Sequence, residues 1–297
     1  MIDLHTHTDR SDGSTDAADL VRLAVHEGIE ALGIADHDTL AGYDAALPIA
    51  AEVGLELVCA VELSTRPNEA KLPGKRQPSV HLLGYWLFSP PSDEFRCWLR
   101  SQQESRRRRN LELVAKLEQL GVPVSLDEAE IYGRNQVGRP HFARVLCDKG
   151  YVSNMQQAFD LYLADEAKAS VEREEPTLEE GIQKIRESGG MTSLAHPVRL
   201  PQSGPELTSL LKRLIDVELD GLEVFHSDHS PADTAQYSEL ARQLDLIPTG
   251  GSDFHGENKP RIRLGTGIDR NISLNYSFLE NMREMFATRQ HRTSDTI

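Results

Sequence analysis

Residues 2–13 read Ile2-Asp3-Leu4-His5-Thr6-His7-Thr8-Asp9-Arg10-Ser11-Asp12-Gly13. A short apolar run passes into two histidines one residue apart, and then into a polar loop that carries the carboxylate of Asp12. Alternate residues of an extended segment point the same way, so His5 and His7 can reach one ion together. A strand that ends in ligands sets the pattern to look for along the rest of the chain.

The pattern recurs. Apolar runs at 31–35, 55–61, 80–85, 191–195, 221–225 and 246–249 alternate with amphipathic stretches, which predicts parallel βαβ units. Ser14 or Thr15 is placed to cap a first helix that turns Leu20, Val21, Ala24 and Val25 inward and ends at Gly28. A second helix is expected over 39–53. Seven such strands predict an α/β barrel related to the eight-stranded one, with its site at the strand C-termini.

Residues able to bind metal gather at those ends. Asp36, His37 and Asp38 follow the second run, and Glu62 closes the third. His81 lies near the start of the fourth, His196 follows the fifth, and Asp253 with His255 follows the seventh. The sixth run supplies Glu223 and His226 without an evident ligand pattern. Imidazole with carboxylate suits zinc, manganese or iron, and no thiolate joins the set. Asp36, beside His37, is expected to orient a ligand from behind, and Asp38 to cap the next helix. His26 and His291 read as ordinary surface residues.

Between residues 91 and 175 the strand rhythm gives way to charged helical sequence, read as a helical insertion over the barrel mouth. That leaves a discontinuous barrel domain at 1–90 and 176–287 and a loosely held tail at 288–297. In 297 residues with 39% hydrophobic side chains the chain can bury a substantial core. Cys59, Cys97 and Cys147 are too scattered for a disulfide framework or a thiolate zinc site. No apolar run approaches the ~20 residues that span a bilayer, and the opening lacks a signal-peptide pattern, so a cytoplasmic protein is expected. A net charge of −15 argues against gripping duplex nucleic acid and favours a small ligand.

In order along the chain, HTHTDRSDG, ADHDT, the Glu of AVELS, the His of VHLLGY, AHP and GSDFH resemble the motifs of the PHP (polymerase and histidinol phosphatase) family. GRPHFARVL and its arginine-rich partner helix resemble the subgroup of 3′,5′-nucleotide bisphosphate phosphatases and 5′-to-3′ exoribonucleases. The resemblance implies a distorted (β/α)7 barrel holding two to three divalent ions, manganese foremost, with zinc or iron as alternatives. Carried over, His5, His7, Glu62 and Asp253 hold the first ion. Glu62 bridges to a second, bound by His81 and His196, and Asp12, His37 and His255 hold a third. Asp12 stands where some members carry histidine. Glu62, His196 and Asp253 are then the residues closest to the chemistry, and the leaving-group acid is either His226 or a metal-bound water.

Two features offer a handle for substrate. In the insertion, Gln102, Arg106 and Arg109 continue a helical stripe begun by Leu113, Leu117 and Leu120, whereas Arg107 and Arg108 fall outside it. Gly138-Arg139-Pro140-His141 reads as a helix start suited to phosphate, with Arg134, Asn135 and Arg199 near the same mouth. The implied activity is hydrolysis of the 3′-phosphate of a nucleoside 3′,5′-bisphosphate, with trimming of short oligonucleotides from the 5′ end as an extension. The rivals are a histidinol-phosphate phosphatase, a C–N hydrolase and a non-catalytic metal-binding interaction module.

Overall fold

A computed structural model describes residues 1–66, 79–134, 136–164, 167–172 and 174–294. The chain order is β1 (Ile2–Thr6), α1 (Ala17–His26), β2 (Ala31–Ile34), α2 (Ala41–Val53), β3 (Glu56–Thr65) and β4 (Val80–Trp86). Four helices follow: α3 (Asp93–Gln119), α4 (Leu126–Gly133), α5 (Arg139–Asp148) and α6 (Met155–Ala158). The alternation then resumes with α7 (Leu178–Glu187), β5 (Met191–Leu194), α8 (Pro205–Ile215), β6 (Gly221–His226), α9 (Pro231–Gln243), β7 (Ile247–Gly251) and α10 (Tyr276–Ser294).

The seven strands form one sheet in sequence order, and a parallel bridge between Thr6 and Phe254 brings its two edges together in a nearly closed barrel. The expectation of parallel units throughout fails at β4, which runs antiparallel to both β3 and β5. A parallel neighbour needs a crossover, usually a helix, and the sequence between β3 and β4 carries no helical pattern. Reversal has a functional result. It brings His81, opposite Ser64 near the start of β4, to the end where the other strands finish.

Two bulges aim side chains at the same end. In β1 the pairing steps from Asp3–Leu32 to Thr6–Ile34, so β1 carries one extra residue. Ile2 and Leu4 join the inner apolar cluster, yet His5 and His7, of opposite parity, also turn inward. A second bulge, between Glu223 and Phe225, re-aims His226.

The helices cover the barrel through an outer cluster that includes Leu20, Leu32, Ile34 and Ile182, while Val25 lies exposed. The inner cluster runs from Ile2, Leu83 and Ile247 to Leu279, Met282 and Phe286 of α10, which closes the barrel floor. The expected tail at 288–297 is thus helical as far as 294, and Arg289 Nη1 donates to the Asp220 carbonyl. The α1 cap is Asp16, which accepts the Ala18 N–H, in place of Ser14 or Thr15. Ser14 instead donates to the His255 carbonyl and accepts the Glu257 N–H.

Helix α3 serves two cores. Phe95 and Leu99 belong to the outer barrel cluster, whereas Leu113 and Leu117 pack with Leu126, Phe142 and Leu146 in a separate cluster of α3 to α6. Leu120, expected inward, is exposed because it caps the helix end. No helix among the described residues is long and apolar enough to cross a membrane.

Candidate metal centre

Glu62, at 1% exposure, is the hub of the site. Its Oε1 lies 2.6 Å from His81 Nδ1 and 2.7 Å from His196 Nε2. Its Oε2 lies 3.2 Å from His5 Nε2, 3.1 Å from His7 Nε2 and 3.5 Å from His37 Nδ1. One carboxylate thus faces two separate groups of imidazoles, as a bridging ligand must. Ligand atoms gather within 4.8 Å in the sets His5-His7-Glu62-Asp253, His37-Glu62-His81 and His7-Asp12-His37-His255. Asp253 and His196 hold positive φ, 58° and 25°, at the turns that present them.

The electrostatics explain why such a cluster calls for cations. Burial raises the Glu62 carboxyl, but the charges of His37, His81 and His5 outweigh it and hold the group well below the usual range. Burial lowers His7, but the Asp253 and Glu62 carboxylates beside it lift it to about 9. Burial dominates for His37, at about 3, and for His196, at about 4. His7 Nε2, His37 Nδ1, His196 Nδ1 and His255 Nε2 are buried and make no hydrogen bond, an arrangement normally too costly to keep unless a ligand satisfies it. Imidazole and carboxylate donors without a thiolate fit divalent manganese, iron or zinc.

Behind the ligands stand groups that fix them. Glu223, set aside on sequence, is fully buried, with Oε1 2.7 Å from His5 Nδ1 and Oε2 accepting the His196 N–H at 2.6 Å. It holds the His5 proton on Nδ1 and leaves Nε2 for an ion. A carboxylate inside the apolar run GLEVF was the signal in the sequence, since such residues are seldom buried without a task. Asp36 accepts from Thr8 N–H, Thr8 Oγ1 and Ser11 Oγ, so it shapes the loop bearing Asp12 more than it orients His37. His226, the candidate acid, is buried with Nε2 3.4 Å from Asp253 Oδ2 and Nδ1 accepting the Asp228 N–H. It supports Asp253 from behind.

Asp253 divides its oxygens. Oδ1 faces His7 at 3.3 Å and His255 at 3.4 Å, and Oδ2 accepts from Arg199 and from Lys259, each at 2.9 Å. Lys259 was not picked out from the sequence, although it stands four residues past His255.

A cleft of about 420 Å³ opens beside His37, with Arg10, Arg106, Arg107 and Arg134 in its walls. Arg106 Nη2 donates to Asp38 Oδ2 at 2.6 Å and to Ser64 Oγ at 2.9 Å. Asp38 therefore does not cap α2. It sits at φ 52°, fully buried, accepts the Ser64 N–H and holds Arg106. Arg134 comes within 3.8 Å of Asp9, and Gln136 reaches the His37 carbonyl from the α4–α5 link. Arg107, outside the stripe as expected, is exposed and also borders the cleft, whereas Gln102 faces a different groove with Glu174 and Lys184. Arg109 is buried and outside the cleft lining. Arg139 is also outside it, with Nη1 donating to the Leu163 carbonyl. His141 Nδ1 accepts the Gly138 N–H, which fills part of the helix start proposed for phosphate. Asn135 lies outside the described residues, and His26 is exposed.

A model of the PHP domain matches residues 3–172. The 5′-3′ exoribonuclease of Haemophilus influenzae is 34% identical over 253 residues, covering 85% of this chain and 89% of that protein. The chain belongs to the PHP family. A second relative, the 3′,5′-nucleoside bisphosphate phosphatase of Chromobacterium violaceum, is 30% identical over 260 residues, 86% of this chain and 87% of that one. Among solved structures, an amidohydrolase from Chromobacterium violaceum with bound sulfate and no metal matches with a TM-score of 0.73. It is 28% identical and covers 95% of this chain and 96% of that chain. The PHP protein described here is accordingly a metal-dependent phosphoesterase whose buried His, Glu and Asp clusters suit several ions.

Proposed function

We propose that this phosphoesterase removes the 3′-phosphate of nucleoside 3′,5′-bisphosphates, giving the nucleoside 5′-monophosphate and phosphate, and that it also shortens small oligonucleotides from the 5′ end. The observation that carries the reading is the arginine-lined cleft beside His37. The metal cluster takes the scissile phosphate, so four arginines in an adjoining wall call for a second anion on the same substrate. The names of the two relatives point the same way.

Bound divalent ions, manganese in our reading, with zinc or iron as alternatives, supply an activated nucleophile at neutral pH and offset phosphoryl charge. Glu62 and Asp253 fix the ion positions, Glu223 and Asp36 hold ligands and loop in place, and His196 completes the Glu62 side. Arg106, steadied by Asp38, is the fixed cation of the cleft. Arg199 and Lys259, on the opposite flank, place positive charge near the scissile group. A histidinol phosphate offers only one phosphate and gives the cleft arginines no second anion to bind. An amide substrate, as the amidohydrolase name suggests, leaves them equally idle.

Phosphate release from nucleoside 3′-, 5′- and 3′,5′-phosphates with added manganese tests this. The bisphosphate should be turned over at least tenfold faster than the 3′-monophosphate, because binding of the remote phosphate is used in the transition state. Equal rates would reduce the protein to a phosphoesterase without nucleotide preference.

A further inference from the structure

The cleft does not end at the arginines that line it. A second chamber of about 210 Å³, walled by Leu40, Asp44, Arg96, Leu99, Arg100 and Gln103, shares Thr39, Ala41 and Gln103 with the first. The two form one groove between the start of α2 and the outer face of α3, running away from His37. On α3, Arg96, Arg100, Gln103 and Arg107 follow at steps of four, three and four residues, which puts them on one stripe. At 1.5 Å per residue that stripe is about 16 Å long, several times the ~3.4 Å spacing of stacked nucleotides.

The arginines along the groove are not alike. Arg106 is paired with Asp38, Arg107 with Glu130, Arg134 with Asp9, and Arg96 bidentately with Asp44. Arg100 is exposed and donates to Cys97 Sγ, with no carboxylate partner among the described residues. The far chamber therefore combines an unneutralised guanidinium with the apolar walls of Leu40 and Leu99.

We infer that this second chamber is a subsite for an anionic extension of the substrate beyond its 5′-phosphate. The inference rests on the nucleotide reading above. With the scissile 3′-phosphate at the ions and the 5′-phosphate among Arg106, Arg107 and Arg134, whatever is esterified or anhydride-linked to that 5′-phosphate enters the chamber next to Arg100. A further phosphoryl group is the shared chemistry. It can come from a nucleoside 5′-diphosphate or from a preceding nucleotide, whose base would lie against Leu40 and Leu99.

The test compares kcat/KM for a nucleoside 3′,5′-bisphosphate, its 5′-diphosphate 3′-phosphate analogue and a 5′-phosphorylated dinucleotide 3′-phosphate, all read as release of the 3′-phosphate. At least one extended substrate should match or exceed the bisphosphate in the wild type. Arg100→Ala and Arg100→Glu should each lower the extended-to-bisphosphate ratio, by ~10-fold for alanine, with unchanged melting temperature. A gain shown by both extended substrates assigns the chamber to phosphoryl groups in general, and a gain confined to the dinucleotide assigns it to a preceding nucleotide. Poor turnover of both extended substrates, or an equal loss on all three in the variants, overturns the subsite. If the bisphosphate itself is not hydrolysed, the underlying nucleotide reading fails, and that is visible before any extended substrate is tried.

Discussion

Five histidine nitrogens surround the two oxygens of Glu62, all within 3.5 Å. Glu62→Gln keeps the shape and removes the charge shared by two ion positions. Turnover at saturating manganese should fall by roughly a thousandfold, in line with losses of other electrostatic catalytic groups, whereas His26→Gln should leave it untouched. Near-normal turnover in Glu62→Gln contradicts the bridging role. Protons give a second handle. With His7 at about 9 and His5 raised well above its usual value by Glu223 and Glu62 against burial, this pair holds protons at neutral pH that an entering ion must expel. Manganese affinity should therefore climb with pH up to about 9. The contribution of His7 to metal-free stability runs the other way. It is complete below the ordinary 6.5 and lost as pH rises through about 9. Calorimetry at pH 7 in buffers of different ionisation heat measures the expelled protons, and heats independent of buffer speak against the scheme. Most ligands were legible in the sequence because histidines and carboxylates at strand ends have few other reasons to cluster. Glu223 and Lys259 were not, since a strand core and a polar loop conceal what their side chains reach.

At the scale of elements, the start of α2 presses on the loop that carries Asp12. A Cβ at Gly42 would lie 1.9 Å from Asp36 Oδ2 and 2.5 Å from Thr8 Oγ1. Gly42→Ala should displace Asp36, loosen the loop and empty the His7-Asp12-His37-His255 position while the ions around Glu62 remain. Elemental analysis should then find one ion fewer per chain, and an unchanged count removes Asp36 from the support of that site. The strands themselves could be read because buried strands show as apolar runs. Their direction could not, because a two-residue period looks the same from either end, and β4 is the strand misjudged for that reason. The phase of α3 was hidden too. Four consecutive arginines carry no apolar mark, so the stripe facing the cleft was taken through Gln102 when it passes through Gln103 and Arg107.

Across the whole molecule, the inner and outer apolar clusters lie under and around the ligands and do not include them. Chelation should abolish turnover while far-UV circular dichroism keeps most of its native signal, and the purified protein should hold two or three transition-metal ions per chain. Loss of the native signal on chelation would make the ions part of the fold. Active enzyme without bound metal would end the hydrolytic scheme. Closure of the barrel also sets a timetable for biosynthesis. His5 lies far upstream of Asp253 and the floor helix α10, and the two edges of the sheet meet through the Thr6–Phe254 bridge and the hydrogen bond from the Asp253 N–H to the His5 carbonyl. A ribosome adding about 5–20 residues per second exposes His5 and His7 tens of seconds before Asp253 joins them and Glu62. Until then the nascent chain offers an incomplete set in which imidazoles outnumber carboxylates, which would favour whichever ion binds nitrogen most strongly. Selection of the working metal must therefore wait until Asp253 has been added and the floor has shut.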